Sequence, residues 1–180
     1  MNKSLTLYHG SSLIIEQPEF GKGNPFNDYG LGFYCTQTLE LAKEWACSMA
    51  QDGYANRYSF RIDGLSVLNL SDENYNILNW LSILLMNRRF NLSSDIAAQG
   101  REYLAGTFLP PYENYDVIIG YRADDSYFSF ASAFLNNTIS LAQLEKAMFL
   151  GKLGEQVVLK SEKAFSRLCF EESVPAERTI

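Results

Sequence analysis

Two hydrophobic patterns run along the chain. Short apolar runs of β-branched, aromatic and leucine residues, bounded by Gly, Pro, Asn or Ser, are typical of strands. Such runs predict strands at residues 5–8, 32–36, 57–62, 66–70, 115–121, 155–160 and 167–172. Between several of these runs, apolar residues recur at helical spacing, which predicts amphipathic helices that each bury one face.

The clearest helical pattern begins after residue 38 and places five apolar residues on one face: Leu39, Ala42, Trp45, Ala46 and Met49. A mostly helical centre is predicted over residues 72–104, with a break at 91–94 where Ser94 is a candidate N-cap. A later helix is predicted to start at Ser140, because Gln143 stands at capping-box spacing, and to end before Gly151. Strands and helices do not alternate regularly, so the pattern favours a mixed α+β fold over a doubly wound parallel sheet.

Length and composition narrow the class of protein. At 180 residues, with 47% hydrophobic and 20% charged residues, the chain predicts one globular domain spanning residues 1–180. The longest apolar stretch, residues 77–86, is too short to span a bilayer, and the N-terminus has no signal-peptide pattern. We therefore expect no membrane partner, and either a cytoplasmic protein or an effector exported without a recognisable signal.

Charge and cysteine usage exclude further classes. The net charge of −6 argues against a broad nucleic-acid-binding face, which requires a basic surface. Three scattered cysteines fit a reducing compartment better than a disulfide framework. No close pair of Cys or His residues offers a zinc site, so we expect no metal.

A long loop rich in Gly, Pro and Asn, residues 18–32, follows the first predicted strand. Loops of this length inside a compact domain are usually functional or disordered. Within it, Lys22 is a candidate contact for an anion, and Asp28 and Tyr29 either face a ligand or shape a turn. A second acidic segment, Asp124–Asp125, is interpreted as a helix N-terminal signal rather than a catalytic carboxylate pair.

The only histidine in the chain, His9, stands at the end of the first predicted strand and precedes Gly10. It is either a hydrogen-bonded histidine at a strand end or part of a binding edge. The common nucleotide and nucleophile motifs do not apply, because Gly30–Gly32 lacks the third glycine of a dinucleotide fingerprint. The chain has neither a phosphate-binding loop ending in Gly-Lys-Ser/Thr nor a Gly-x-Ser-x-Gly elbow.

Three separated segments together resemble one superfamily. "LYHGSS" at residues 7–12 resembles the His-Gly-Ser strand of diphtheria-toxin-like ADP-ribosyltransferases, which include the poly(ADP-ribose) polymerases. "GLGFYCT" at 30–36 resembles their Gly-x-Gly-x-Tyr segment, and "GEQVVLKS" at 154–161 lies where they carry a third motif residue. The whole pattern looks most like a bacterial family of this superfamily with glutamine in the third position. The resemblance implies a split β-sandwich of two mostly antiparallel sheets with surrounding helices and a ligand cleft between the sheets.

The resemblance also implies NAD as co-substrate and a role for each matching residue. It implies cofactor-binding roles for His9, Gly10, Ser11, Tyr29, Gly32 and Tyr34, and catalytic roles for His9, Tyr34 and Gln156. In the family pattern the histidine hydrogen-bonds a ribose hydroxyl, the glycine backbone binds the nicotinamide carboxamide, and the tyrosine ring lies against the nicotinamide. A close approach of the ligand to the backbone would also explain why residue 10 is glycine.

The third motif position departs from the common glutamate of the family. Glu155 and Gln156 are neighbours on a predicted strand, so only one of them points into a cleft, and the family position favours Gln156. A glutamine hydrogen-bonds a ribose hydroxyl but brings no negative charge to the oxocarbenium-like sugar formed when the nicotinamide–ribose bond breaks. The sequence therefore predicts an NAD-dependent transferase that modifies a protein, or a nucleic-acid end. An NAD glycohydrolase and a non-catalytic module that binds NAD or ADP-ribose stay open as alternatives.

Overall fold

A computed structural model describes residues 4–47, 51–123, 125–150 and 154–177. The described strands are β1 (Ser4–Ser11), β2 (Phe33–Cys35), β3 (Gly53–Arg61), β4 (Val67–Asn69), β5 (Val117–Tyr121), β6 (Glu155–Leu159) and β7 (Leu168–Ala176). The described helices are α1 (Leu39–Ala46), α2 (Ile77–Asn87), α3 (Asp95–Phe108), α4 (Asp125–Leu135), α5 (Leu141–Leu150) and α6 (Glu162–Phe165). The predicted helix positions Met49 and Gly151, and the acidic Asp124, lie outside the described residues.

The strands form two sheets. Strands β1, β3 and β7 make an antiparallel three-stranded sheet in the order β1-β3-β7. The second sheet has the order β2-β6-β5-β4 and is antiparallel except between β4 and β5. The predicted α+β class with mostly antiparallel sheets is therefore confirmed.

Alternation along β6 assigns the two faces of the four-stranded sheet. Val157 and Leu159 belong to a buried cluster that includes Leu7, Tyr58 and Phe60 of the three-stranded sheet, so this face packs against that sheet. Val158 points the other way, into a separate cluster dominated by helix α2. The apolar cluster occupies the space between the sheets, where the sequence had predicted a ligand cleft.

Helix α2 covers the second face of the four-stranded sheet. Its apolar run is buried almost all round, as expected for a helix enclosed in a core. The hydroxyl of Ser82 stays paired there, because it donates to the carbonyls of Leu78 (2.7 Å) and Leu104 (3.0 Å). None of the described helices has the length and apolar character needed to cross a membrane.

Two predicted helix starts are confirmed by their caps. The Ser94 hydroxyl accepts the Ala97 N–H at the start of α3. Before α5, the Gln143 side chain accepts the Ser140 N–H (2.8 Å), and the Ser140 hydroxyl accepts the Gln143 N–H (3.3 Å). Local sequence therefore determines where these helices begin.

The two sheets meet where β1 passes β2. Tyr8 and Thr36 exchange two backbone hydrogen bonds, with N–O distances of 2.7 and 2.9 Å. Beyond this bridge, β1 continues along β3 and β2 continues along β6. The bridge places His9 next to the strand that carries Tyr34.

Candidate functional site

A cavity of about 270 Å³ lies at the end of the helix-covered face of the four-stranded sheet. Its lining residues are Asn27, Asp28, Tyr34, Arg88, Arg122, Ala123 and Gln156. Tyr34 on β2 and Gln156 on β6 project from the same face, since Tyr34 pairs with Val158 and side chains alternate along β6. Two of the residues predicted as catalytic therefore share one cavity.

Gln156 presents an unpaired polar atom in this cavity. The residue is 7% exposed, and its buried Oε1 has no hydrogen-bond partner. A buried acceptor without a partner costs about 1–3 kcal/mol, so a ligand donor at this position would relieve the cost. The neighbouring Glu155 is exposed and its carboxylate accepts a hydrogen bond from the Ser71 hydroxyl at 2.5 Å. Of the two candidates on β6, Gln156 is the one that lines the cavity.

The Tyr34 hydroxyl is engaged by the loop that precedes β2. It donates to the Gly30 carbonyl at 2.5 Å and accepts the Tyr29 N–H at 3.0 Å. Burial raises the pKa of the Tyr34 phenol well above its usual value, so the hydroxyl stays protonated. The loop hydrogen bonds hold this side chain where it forms a wall of the cavity.

His9 adjoins the site through the backbone of β2. Its Nδ1 lies 2.7 Å from the Tyr34 carbonyl oxygen, which only accepts hydrogen bonds, so Nδ1 carries the proton and Nε2 is left as an acceptor. Burial lowers the pKa of His9, which keeps the imidazole neutral at pH 7. The ring stacks on Phe33 at 4.3 Å between centroids. Phe33 faces the space between the sheets, so the imidazole lies on the opposite face of β2 from the cavity.

Gly10 lies directly beneath helix α1. A Cβ atom at this position would be 2.1 Å from the Ala42 carbonyl oxygen and 2.7 Å from the Trp45 Cβ. Close packing of α1 on β1 is thus sufficient to require glycine here, without any ligand. The neighbouring Ser11 hydroxyl accepts the Leu13 N–H at 3.1 Å and shapes the following turn.

Tyr29 and Gly32 fasten the long loop to the sheet. Tyr29 is fully buried, and its hydroxyl donates to the Tyr121 carbonyl at 2.6 Å. A Cβ on Gly32 would be 2.7 Å from the Val158 Cγ1, so this residue packs tightly on β6. The Tyr29 N–H holds the Tyr34 hydroxyl, and neither Tyr29 nor Gly32 is among the residues that line the cavity.

Asp28 is a buried carboxylate on the cavity wall, with 5% exposure. Its Oδ1 lies 2.7 Å from the Arg88 guanidinium, and its Oδ2 accepts the Ala123 N–H at 2.8 Å. Burial raises the pKa of Asp28, while the backbone hydrogen bond and the guanidinium act against the shift. By contrast, Lys22, the sequence candidate for an anion contact, forms an exposed ion pair with Glu19 at 2.7 Å.

Two arginines that sequence reasoning did not select complete the cavity. Arg88 follows the last turn of α2, and Arg122 follows β5. The Arg122 guanidinium lies 3.3 Å from the exposed Glu44 carboxylate and 5.3 Å from the centre of the Trp45 ring. The Trp45 indole N–H is buried without a hydrogen-bond partner. A single arginine after an apolar element carries no local pattern, so only the folded chain reveals this pair.

No group of His, Cys, Asp and Glu residues within the described ranges is arranged to hold a metal ion. The cavity wall presents guanidinium, carboxylate, amide and phenol groups. Positive charge from two arginines, a ring surface and an unpaired amide oxygen together suit a polar ligand that carries negative charge.

Comparison with known proteins identifies one family model. The model described as "Protein of unknown function (DUF3990)" matches residues 5–170, which include all the residues that line the cavity and every predicted strand except the end of the last one. Searches of curated proteins and of solved structures find no match to the chain.

Proposed function

We propose that this chain, which belongs to the DUF3990 family of proteins of unknown function, is an NAD-dependent ADP-ribosyltransferase built on an ADP-ribosyltransferase-like split β-sandwich. One observation carries the proposal: Tyr34 and Gln156, predicted from separate motifs, line one cavity, and His9 hydrogen-bonds the backbone of Tyr34. A set of unrelated core residues has no reason to converge in this way.

The cavity suits the nicotinamide–ribose half of NAD. Small-molecule sites span roughly 300–1,000 Å³, so a cavity of about 270 Å³ holds part of a dinucleotide and leaves the adenosine half outside. Tyr34 supplies a ring surface for the nicotinamide, and the unpaired Gln156 Oε1 accepts a ribose hydroxyl. Arg88 and Arg122 supply donors for the pyrophosphate. Because the His9 imidazole lies on the other face of β2, His9 contributes to the cavity through the hydrogen bond between its Nδ1 and the Tyr34 carbonyl, which holds the strand that carries Tyr34.

The proposed reaction needs no metal. The bond between nicotinamide and ribose C1′ breaks, and its electron pair leaves with nicotinamide, which becomes neutral. A lone pair of the acceptor then forms a bond to C1′, and the acceptor loses its proton to solvent. The cavity assists by holding the reacting half of NAD in a fixed orientation and by placing polar groups around the developing positive charge.

A second candidate function is a non-catalytic module that binds NAD or ADP-ribose. Gln156 favours it, because an amide brings no negative charge to the oxocarbenium-like transition state. An NAD glycohydrolase differs from the transferase only in using water as the acceptor.

Incubation of the protein with NAD labelled in its ADP-ribose part, in the presence of a cell lysate, separates these functions. Label on macromolecules indicates the transferase, and sensitivity to protease or nuclease identifies the acceptor class. Free labelled ADP-ribose alone indicates a glycohydrolase. Binding of NAD without either product indicates the module, and absence of both binding and turnover refutes the proposal.

Two variants on β6 provide a matched test of the site. Gln156→Ala should reduce NAD turnover more than Glu155→Ala, because only Gln156 lines the cavity. Loss of one aligned hydrogen bond to a developing charge costs roughly 2–4 kcal/mol. An inactive Glu155→Ala beside a fully active Gln156→Ala would refute this assignment.

A further inference from the structure

The proposed reaction develops positive charge at ribose C1′, which a nearby negative charge would stabilise. The cavity contains a carboxylate that can supply this charge. Among the described residues that line the cavity, Asp28 is the one carboxylate. It comes from the long loop before β2 rather than from the third motif strand, so motif position does not reveal it. The same loop holds the Tyr34 hydroxyl through Gly30 and Tyr29.

The Asp28 carboxylate is fixed in place before any ligand binds. Arg88 holds Oδ1 and the Ala123 N–H holds Oδ2, at 2.7 and 2.8 Å. Each carboxylate oxygen accepts more than one hydrogen bond, so both retain acceptor capacity towards the cavity. A charge held rigidly beside the reacting atoms stabilises a transition state without the cost of reorganisation.

The ion pair with Arg88 offsets the charge of Asp28. Binding of NAD changes this balance, since the two negative charges of the pyrophosphate can neutralise Arg88 and Arg122. With the pyrophosphate beside Arg88 and Arg122, the cavity carries a net negative charge, and Asp28, still held by Arg88 and the Ala123 N–H, is the carboxylate that faces the ribose. The charge of the occupied cavity then matches a sugar that becomes positive as nicotinamide leaves.

We infer that Asp28 is the catalytic carboxylate of this cavity, contacting the nicotinamide ribose and stabilising the positive charge that Gln156 cannot. This inference rests on the proposed function. The C1′–nitrogen bond breaks towards nicotinamide as described above, and Asp28 acts as a carboxylate through its charge, without forming a covalent bond. Gln156 binds the ribose hydroxyl and orients the sugar towards Asp28.

A purely structural role for Asp28 must be separated from this one, because the same side chain connects the loop to Arg88 and Ala123. The decisive comparison uses Asp28→Asn, which keeps the shape of the side chain and removes the charge. Gln156→Glu in the Asp28→Asn background returns a carboxylate to the same cavity from the other wall. Glu155→Gln is the matched control, because it removes a carboxylate next to the cavity but outside its lining.

The measurements are NAD consumption, NAD affinity and melting temperature for each variant. We expect Asp28→Asn to lose about 10²-fold in kcat with unchanged NAD affinity, and the double variant to recover about tenfold or more. We expect the control variant Glu155→Gln to keep the wild-type kcat. Full activity of Asp28→Asn, parallel loss of NAD affinity, or no recovery in the double variant would each overturn the inference.

A further variant covers the case in which Asp28→Asn does not fold. Gln156→Glu alone keeps Asp28 and adds a second carboxylate, and we expect a gain in kcat of less than about tenfold, because the required charge is already present. A gain of about 10²-fold or more would show that the cavity lacks that charge and would overturn the role of Asp28. If the wild-type protein binds NAD but does not consume it, both this inference and the proposed transferase function are wrong. If activity survives in Asp28→Asn, this inference alone is wrong.

Discussion

Gly10→Ala distinguishes two reasons for the glycine that follows His9. The resemblance to ADP-ribosyltransferases implies that the residue is small because a ligand approaches its backbone. The structure offers a second reason, because helix α1 passes directly over this position. If the first reason is correct, Gly10→Ala loses affinity for the ligand. If the second is correct, the ligand-free variant is less stable than the ligand-free wild type.

The size of the effect follows from the contacts. An alanine Cβ would lie 2.1 Å from the Ala42 carbonyl oxygen and 2.7 Å from the Trp45 Cβ, and neither atom moves without moving the helix. Overpacking of this kind costs about 1–3 kcal/mol, beyond the small gain from a less flexible unfolded chain. For a chain of this length, each kcal/mol shifts the melting temperature by about 2–4 °C. We therefore expect the melting temperature of Gly10→Ala to fall by about 2–12 °C.

Thermal and urea unfolding of the ligand-free protein test this expectation. The control is Gly100→Ala in α3, where no atom apart from the adjacent residues and the helix's own backbone lies within 4 Å of the added Cβ, so the change should stabilise the helix by about 0.5–1 kcal/mol. If Gly10→Ala is as stable as the wild type but has lost affinity for NAD, the packing argument is wrong and the ligand explanation is favoured.

Three further predictions concern single side chains. Tyr34→Phe should lower the free energy of unfolding by about 1–3 kcal/mol, because it leaves two loop backbone groups unpaired; an unchanged urea midpoint would contradict this. The pKa of His9 is lower in the folded chain than its unfolded value of about 6.5, so its contribution to stability is fully present above pH 6.5 and is lost as the pH falls from that value through the lower folded pKa. Unfolding measured against pH should show a weaker loss below pH 6.5 in His9→Asn, and identical slopes for the two proteins would refute the argument. A maleimide should label the exposed Cys169 long before Cys35, because Cys35 is buried and burial raises the pKa of its thiol. Mass spectrometry of the labelled native protein gives the order, and early labelling of Cys35 would contradict the structure.

Local patterns were sufficient to predict the elements. The apolar runs predicted each of the seven described strands, and the Ser94 and Ser140 caps predicted helix starts that the structure confirms. These signals work because a cap or an alternating face depends on neighbours only a few residues away. The irregular order of strands and helices likewise predicted the α+β class.

The sequence alone did not show which face of each strand is buried against the other sheet and which is covered by helices. Alternation along β6 separates Gln156 from Glu155, but apolar residues follow on both sides, so the pattern does not say which side is enclosed. The packing of the three-stranded sheet on Val157 and Leu159, and of α2 on the opposite face, decides it. The same packing fills the space between the sheets and leaves the cavity on the helical side.

The sequence by itself predicted the strands, several of the helices, the α+β class and three candidate catalytic residues, because each of these is expressed in short-range patterns or motifs. Only the tertiary structure decided that Tyr34 and Gln156 share a cavity while His9 lies across β2 from it. It also brought Arg88 and Arg122 to Asp28 and Trp45, from positions with no motif of their own. Contacts between residues distant in the chain depend on how both sheets and α2 pack together, and this packing is a property of the whole core rather than of any one segment.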